Sequence, residues 1–537
     1  QRQMCIRDSP IIDLPEGATQ GRILVKFKPE AASFLDAATT RSVGAALTRS
    51  GISDMDAVLQ RIGTSKLERI FPVDNRTEER TRKAGLNLWY IIHFDKDTDL
   101  EQVAKDLSQV ADVAKVQFTR AIQRSYDPNV RATVLTKQAM TRVVHTTRAV
   151  NTDANDPFFN LQWGCKNDGS ILQNGEKNDK GDNVVPAVMG VDVNCVEAWK
   201  LCTGNPSIVV AVLDEGVMYD HPDLEGNIWV NEDETFASKE DADGNGYAGD
   251  RYGYNFTDDK GYISYDDPND TGHGTHVAGI ISAVRNNGEG ISGIAGGDKA
   301  NNRGGVKSMS CQVFSGSKGC DLYQEAKAVK YAADNGAVIL QCSWGYNSGL
   351  SNPISGYTPG FTSDKDWVDA APLEKEAFDY FLHNAGSPND VIDGGIIVFA
   401  AGNEYAAMAG YPGAYPDYIS VAALAADGTP SCYSNYAMGV SIAAPGGDSD
   451  YHQSSKGKIY STLPPSANED GGENSHYGYM EGTSQACPHI SGVAALGLSY
   501  AAELHRHFRA DEFRKMILES VNPVEPYFKH TKVYWST

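Results

Sequence analysis

Apolar runs that alternate with helical stretches constrain this chain most, and they fill most of the sequence after residue 200. The strand-forming runs lie at 208–213, 337–341, 396–400 and 418–422. The stretches with helical spacing lie at 273–284, 322–335, 373–383 and 484–504. Continuous apolar strands between helices indicate an α/β fold, in which helices cover both faces of a mostly parallel sheet. Such a sheet holds its functional side chains at the carboxyl ends of its strands.

The first 120 residues show shorter elements in a different order. Strand and helix patterns follow one another as β-α-β-β-α-β, at 22–27, 54–62, 67–73, 86–94, 99–110 and 113–118. This order predicts a small ferredoxin-like α+β sandwich over residues 20–120. Residues 1–19 form a leader of unclear status, because residues 1–9 carry two arginines but no apolar stretch of the kind that a secretory signal needs.

A basic linker is predicted for residues 121–152, between the sandwich and a second domain at 153–537. The linker lacks a regular period and carries a single acid, Asp127, beside several bases. The bases are Arg124, Arg131, Lys137, Arg142 and Arg148. Such a stretch is either a solvated tether or a protease-sensitive joint between two folded units.

The acidic balance of the chain excludes some classes of function. With 70 acidic and 47 basic residues among 537, the net charge is −23. That balance argues against a nucleic-acid binder, which neutralises phosphates with Lys and Arg, and against docking on an anionic membrane surface. No uncharged apolar run approaches the roughly 18 residues of a membrane-spanning helix. The sequence therefore predicts a globular protein without a transmembrane span.

Three segments each offer one member of an acid, histidine and serine set. Asp214 follows the apolar run 208–213, His273 begins a helical stretch in DTGHGTHVAGI, and Ser484 begins another in GTSQACPHISG. Each residue alone has an ordinary explanation as a loop or capping residue. The order Asp, His, Ser is, however, one of the chain orders of the serine-protease triad, in which a neighbouring base activates the serine hydroxyl.

These segments closely resemble the subtilases, the family of subtilisin-like serine proteases, and HGTHVAG and GTSQACPH are the most specific elements. The resemblance implies a subtilisin-like fold and hydrolysis of peptide bonds through an acyl-enzyme. It implies that Asp214 orients the imidazole, that His273 acts as general base and then as general acid, and that Ser484 is the nucleophile. Asn403, just past the run 396–400, would donate its amide to the oxyanion. A catalytically retired subtilase that only binds protein is the alternative.

The resemblance also implies a substrate-binding segment. Ser343, Trp344 and Gly345 match the Ser-x-Gly segment with which subtilases pair an extended substrate by main-chain hydrogen bonds. Trp344 would wall part of the pocket for the residue before the scissile bond, or would simply pack at a strand end. Glu215 follows Asp214 where the family more often has Ser, Thr or Asp, and it places a second carboxylate close by.

A short acidic loop predicts a structural calcium ion. Its alternating oxygen ligands are Asp241, Asp243, Asn245 and Asp250, with glycine at the sixth position of the loop. The twelfth position is Tyr252 rather than Glu, so the loop is not an EF-hand, and a plain acidic turn is the alternative. A zinc pair at His273 and His276 is disfavoured, because no Glu follows His273 as in the zinc-protease signature.

Members of the family are commonly made with a ferredoxin-like prodomain that plugs the cleft until it is cut away, and residues 20–120 resemble one in element order. The resemblance therefore implies a self-processing zymogen with its own prodomain as intramolecular inhibitor. The substrates would be polypeptides. We expect a monomer that works outside the cytoplasm, whether secreted, periplasmic or on the cell surface.

Three further expectations concern the end of the chain. Cys487 stands where a smaller Ser, Thr or Ala is usual and would confer sensitivity to thiol reagents. Pro488 lies just after the first helical turn and predicts an irregular helix there. No further strand and helix are found after residue 504, so a C-terminus clipped relative to the family is expected.

Overall fold

Two units make up the structure. The first comprises residues 1–121 with the short segments 321–323 and 370–376, and the second comprises the remainder. The computed structural model describes residues 14–527, apart from 16, 42–46, 125, 128, 136–152, 179, 450–453 and 468–475. Most of the predicted leader, residues 1–13 and 16, and residues 136–152 of the predicted linker therefore lie outside the described residues.

The first unit contains a four-stranded antiparallel sheet in the order β2-β3-β1-β4. The strands are β1 (Arg22–Phe27), β2 (Lys66–Arg69), β3 (Trp89–His93) and β4 (Val113–Gln117). The helices are α1 (Ala32–Arg41), α2 (Ser53–Arg61), α3 (Glu78–Lys83) and α4 (Leu100–Ser108). The predicted ferredoxin-like α+β arrangement is confirmed, with more than one helix in the first crossover and a short helix before β3.

Helix α4 illustrates how the sequence sets this unit. Asp99 precedes it in an extended conformation, and its side chain accepts a hydrogen bond from the Gln102 N–H at 3.1 Å. That bond satisfies one of the four N–H groups that a helix leaves without a partner at its start. The apolar face, Leu100, Val103, Ala104 and Leu107, is buried in the same core as the sheet residues Ile23 and Ile92.

The chain after residue 121 forms an α/β fold. Its strands are β5 (Val209–Glu215), β6 (Gly253–Asn255), β7 (Gly297–Asp298), β8 (Arg303–Gly304), β9 (Lys307–Ser315), β10 (Lys318–Gly319), β11 (Ala337–Cys342), β12 (Ile392–Asp393), β13 (Ile396–Ala400), β14 (Ile419–Leu424), β15 (Ile442–Pro445), β16 (Ile459–Thr462), β17 (Tyr477–Met480) and β18 (Phe508–Arg509). Its helices are α5 (Cys195–Trp199), α6 (His273–Ser282), α7 (Leu322–Asp334), α8 (Asp364–Ala370), α9 (Pro372–Asn384), α10 (Thr483–Glu503) and α11 (Ala510–Glu519).

The predicted mostly parallel sheet is confirmed. Eight strands form one sheet, with the path β10-β9-β5-β11-β13-β14-β15 and β6 paired to β9. Every pair is parallel except the β10–β9 hairpin. The strands β5, β11 and β13 are buried along their whole length, as expected for a sheet that is covered on both faces.

Helix α6 starts where it does because two glycines permit a close approach to β5. Gly272 precedes the helix with a φ of 77°, which favours glycine. A Cβ on Gly274 would lie 2.1 Å from the main-chain oxygen of Glu215. Any side chain there would push the helix off the strand end, so Gly274 keeps His273 beside the end of β5.

Helix α10 is continuous from Thr483 to Glu503 despite Pro488, so the predicted irregularity does not break it. Proline has no N–H to donate to the carbonyl of Ser484, four residues before it. The Ser343 hydroxyl donates to that carbonyl oxygen at 2.7 Å instead. This hydrogen bond from Ser343 to Ser484 connects the start of α10 to the end of β11.

The expectation that no strand and helix follow residue 504 is wrong. β18 pairs in parallel with β12, and α11 buries Phe513 and Ile517 against the main core. Helix α11 is short and rich in charged residues, so its amphipathic pattern is hard to recognise in the sequence. Among the described residues, no helix is long and apolar enough to cross a membrane.

Candidate active site

The predicted site residues meet at the carboxyl edge of the sheet. Asp214 is the last residue but one of β5, Ser343 follows β11, and Asn403 follows β13. His273 and Ser484 lie in the first turns of α6 and α10. Parallel strands end at one edge, so residues far apart in sequence come together there.

Asp214 and His273 form a buried pair. The His273 Nδ1 donates to the two carboxylate oxygens of Asp214 at 2.8 and 3.0 Å. The side chain of His273 is 3% exposed and that of Asp214 is 1% exposed. Because Nδ1 carries the proton, Nε2 of the neutral ring is an acceptor. Among the described residues Nε2 has no hydrogen-bond partner, so it can accept a proton from a nucleophile.

Ser484 is 1% exposed, and its hydroxyl donates to the main-chain oxygen of Ser343 at 3.1 Å. The hydrogen bond from Ser484 Oγ to His273 Nε2 that nucleophilic attack requires is therefore not formed here. Its backbone is nevertheless well fixed, because the Ser343 hydroxyl holds the Ser484 carbonyl. Rotation about the Cα–Cβ bond is the motion left to the nucleophile.

Asn403 is oriented by the start of α10. Its Oδ1 accepts hydrogen bonds from the Thr483 N–H and from the Thr483 hydroxyl, both at 2.9 Å. These bonds fix which end of the amide is oxygen, so its Nδ2 must face away from Thr483. Nδ2 would lie 3.8 Å from a Cβ built on Gly482, two residues before Ser484. An amide donor beside the nucleophile is what the predicted oxyanion role needs.

The segment Ser343–Gly345 lies between β11 and α10, but Trp344 points into the interior. It is 1% exposed, and its ring contacts Phe314 and Phe399 at centroid distances of 6.4 and 5.5 Å. These contacts support the packing alternative for Trp344, and its role as a pocket wall stays a prediction. Gly345 sits against the main-chain oxygen of Tyr411, which a Cβ would approach to 3.0 Å.

Glu215 has a role at this site that the sequence did not reveal. Its carboxylate is 1% exposed, and one oxygen accepts the N–H groups of Thr271 and His273 at 3.0 Å each. The anion therefore caps the start of α6, where N–H groups lack partners and the helix dipole favours negative charge. Only its position next to Asp214 could have signalled this.

The described part of the linker covers the catalytic histidine, His273. The Ile122 N–H donates to Cys320 O at 2.8 Å, and Thr133 exchanges two main-chain hydrogen bonds with Tyr479, at 3.0 and 2.8 Å. Between these points the ring of Tyr126 stacks on His273, with centroids 3.8 Å apart and planes at 15°. The imidazole is thus covered by the protein's own chain.

Tyr126 is held over the imidazole by a hydrogen bond. Its hydroxyl donates to the Glu215 carboxylate at 2.9 Å. Burial, and then the nearby charges of Glu215 and Asp214, raise the pKa of Tyr126 well above its usual value, so the hydroxyl keeps its proton and remains a donor.

Arg124 fills an acidic pocket beside the same histidine. Its guanidinium lies 3.2 Å from Glu215 and 3.5 Å from Asp270, and it donates to Gly316 O at 2.6 Å. Burial, and then the charge of Glu215, raise the pKa of Asp270, which shows how costly two charged carboxylates are here. The basic composition of the linker was the only sequence signal for this contact.

The predicted calcium loop holds its residues in two groups. Carboxylate oxygens of Glu234, Asp241 and Asp243 lie within 4.8 Å of one another, and Glu234 was missed because it precedes the loop. The Asn245 side-chain amide links this group to Asp250, because it donates to Asp243 at 3.2 Å and to Asp250 at 2.9 Å. The Tyr331 hydroxyl donates to Asp250 at 2.8 Å, and burial raises the pKa of Asp250 to about 6.

Burial bears on two further points from the sequence, the disfavoured zinc pair and the reactivity of Cys487. The His276 Nε2 faces the carbonyl oxygens of Ile459 and Gly478 at 3.2 Å each, while His273 faces Asp214, so the two rings do not converge on a metal. Cys487 is fully buried, which raises the pKa of its thiol to about 12. The reactive thiolate is therefore disfavoured, and the predicted thiol sensitivity has no support.

Comparisons with known proteins agree with this geometry. The family model described as "Subtilase family" matches residues 205–532, and "N-terminal of Subtilase family" matches residues 23–169. The chain is 25% identical over 339 residues to the thermophilic serine proteinase of Bacillus sp. strain AK1, covering 63% of this chain and 62% of that protein. It is 29% identical over 323 residues to the halolysin-like extracellular serine protease Nep of Natrialba magadii, covering 60% and 45%.

Among solved structures, fervidolysin from Fervidobacterium pennivorans is similar, with 22% identity and a TM-score of 0.48. The match covers 90% of this chain and 55% of that one. The chain thus spans less than two thirds of the length of each of these relatives.

Proposed function

The chain belongs to the subtilase family, and from that premise we propose that it is a serine endopeptidase that hydrolyses polypeptides through an acyl-enzyme. The observation that carries the proposal is the buried pair of His273 and Asp214, with Nε2 left as an acceptor that has no partner among the described residues. A retired subtilase would have no reason to keep an imidazole oriented in this way.

In the proposed mechanism, Ser484 turns its hydroxyl from Ser343 O to His273 Nε2. As Oγ bonds to the substrate carbonyl carbon, Nε2 takes the hydroxyl proton, and Asp214 stabilises the imidazolium that forms. The Ser484 N–H and the Asn403 amide donate to the oxyanion. His273 then returns the proton to the leaving amine, and water repeats the sequence in reverse to release the acid.

A fluorophosphonate probe tests the proposal, because it reacts only with an activated serine. The processed protein should be labelled, Ser484→Ala should not, and Ser499→Ala should be labelled like the parent. Ser499 is the matched control because it lies on the same helix and its hydroxyl merely donates to Ala495 O. Processed protein that stays unlabelled in the presence of calcium would favour the retired binding protein.

We further propose that the chain is a zymogen whose linker occupies the cleft before it is cut. The contacts of Ile122, Tyr126 and Thr133 support this, since they lay the protein's own chain over the catalytic histidine, where a substrate must lie. An attached strand reaches Ser484 at high effective concentration, which favours self-cleavage. Residues 20–120 would then be released as the inhibitory prodomain, and the mature enzyme would be a monomer.

Calcium is proposed as a structural ion in the acidic loop. Glu234, Asp241 and Asp243 would hold it, because three converging carboxylates supply the hard oxygen ligands that calcium takes. Asn245 and Asp250 would instead brace the loop through their mutual bond. We also propose an extracytoplasmic location, on the ground that a similar protein is named an extracellular serine protease.

A further inference from the structure

Apart from the Tyr126 hydroxyl, which accepts from the Arg124 Nε at 3.1 Å, the pocket that holds Arg124 is built from residues outside the linker. Its walls are the carboxylates of Glu215 and Asp270, the main-chain oxygen of Gly316 and the ring of Phe314, whose centroid lies 5.1 Å from the guanidinium carbon. With the linker in place, the side chains of Glu215 and Asp270 are 1% and 3% exposed. When the linker is cut and dissociates, these walls remain but the guanidinium of Arg124 is lost from the pocket.

The walls match a guanidinium in charge and in shape. Two carboxylates and a carbonyl oxygen converge on one nitrogen of the guanidinium, Nη2, and the Phe314 ring covers the planar group. The second oxygen of Asp270, Oδ2, is buried and has no hydrogen-bond partner among the described residues. An ammonium group would satisfy the charge but has no planar face to lie over the Phe314 ring.

The emptied pocket is costly to the mature protein. Two carboxylates that share one pocket repel each other, and the loss of their arginine leaves that repulsion uncompensated unless one of them takes up a proton. A substrate that supplies a new cation removes this cost, so part of its binding is driven by the pocket itself. A neutral side chain of the same shape does not compensate the carboxylates and gains no such binding free energy.

We propose that the mature enzyme binds an arginine side chain of its substrate in this pocket, on the amino-terminal side of the scissile bond. The inference rests on the proposed function and assigns its substrate preference. Chain direction gives the side: Arg124 precedes Tyr126, which covers the general base, and a substrate running the same way puts its arginine upstream. Glu215 and Asp270 are the residues that determine this specificity.

The test compares internally quenched peptides that carry arginine, lysine or citrulline at each of the four positions before the cleaved bond. Citrulline keeps the shape of arginine without the charge. At one position, arginine should exceed citrulline in kcat/KM by about tenfold or more, with lysine between them. The ratio should fall towards one in Asp270→Asn and stay unchanged in Asp258→Asn, an exposed acid that pairs with Lys260.

A second measurement uses the precursor as its own substrate. Arg124→Gln should slow cleavage of the linker, and Arg124→Lys should restore part of the rate. Equal rates for arginine and citrulline at every position, or a preference that Asp270→Asn leaves intact, would overturn the inference. If the fluorophosphonate still labels such an enzyme, the proposed function stands and the pocket alone is wrong. An enzyme that is neither labelled nor active disproves both.

Discussion

Two acidic clusters in the second unit solve the same electrostatic problem in different ways. Beside the catalytic histidine, Glu215 and Asp270 face the guanidinium of Arg124. In the loop around residue 241, the carboxylates of Glu234 and Asp241 accept main-chain N–H groups, including those of Gly249 and Gly246 at 2.9 Å each. The first cluster is balanced by a full charge, whereas the second is held by dipoles.

The difference bears on what each cluster can do. A buried carboxylate needs a compensating charge, which the chain itself or an added ion can supply. Where a cleavable segment supplies it, the partner can leave and another cation can take its place. Where N–H groups hold the carboxylates, a metal ion can add the full positive charge. We therefore expect the first cluster to respond to cleavage and pH, and the second to calcium.

The largest expected effect is cleavage of the linker, since the two clusters differ as described only if Arg124 can leave its pocket. The wild type should lose roughly its first 120 to 150 residues, because the linker reaches its own nucleophile as an intramolecular substrate. Ser484→Ala should stay full length. Mass spectrometry of the N-termini, in preparations free of other proteases, gives the answer. A Ser484→Ala protein trimmed at the same bond would show that another protease makes the cut.

The next largest effect is expected from Glu215→Gln. The Thr271 and His273 N–H groups share one carboxylate oxygen, which the glutamine oxygen can replace, but glutamine lacks the negative charge that the start of α6 favours. We expect kcat to fall by about tenfold or more with a smaller change in KM, as for a positioning residue whose loss displaces the general base.

Two further measurements separate this role from a general loss of stability. Fluorophosphonate labelling should slow in Glu215→Gln even though the probe needs no arginine pocket, and Glu215→Asp should recover part of the rate. Asp258→Asn removes a charge without touching the site and is the control. A variant whose KM rises while its kcat and labelling rate stay those of the wild type would assign Glu215 to substrate binding alone.

Calcium should act on the second cluster only. An ion that binds only the folded state raises the melting temperature by mass action. Asp241→Ala combined with Asp243→Ala should abolish the calcium-dependent rise, about 2–4 °C for each kcal/mol of binding-derived stability. Asp270→Asn should keep the rise, because its cluster has no part in the loop. If the double variant keeps both its melting temperature and its calcium dependence, the loop is a plain acidic turn.

The sequence predicted the sheet, the sandwich and the order of the site segments, because each rests on local patterns of apolar residues and glycines. It could not predict the roles of Glu215, Asp270 and Arg124, since these depend on which loops meet at the sheet edge. The exposure of Trp344 and Cys487 could not be predicted for a related reason: a residue's exposure depends on neighbours far along the chain. The helix α11 was missed because its apolar face has only a few residues.

The smallest expected effect is a pH dependence of the first cluster before cleavage, which full-length Ser484→Ala preserves for measurement. Arg124→Gln in that background leaves Glu215 and Asp270 without their cation. The folded-state pKa of Asp270 is raised, so over the interval above its unfolded value the folded protein binds more protons than the unfolded one. The free energy of unfolding then falls as pH rises through that interval.

Loss of Arg124 should therefore lower the melting temperature more at about pH 8 than at about pH 5, where Asp270 is protonated, by about 2–4 °C. Arg131→Gln is the matched control, because its guanidinium donates to the main-chain oxygens of Pro268 and Asp270 rather than to carboxylates. Its effect should be the same at both pH values. An Arg124→Gln effect that is equally independent of pH would mean that the guanidinium contributes packing instead of charge, and the contrast between the two clusters would lose its basis.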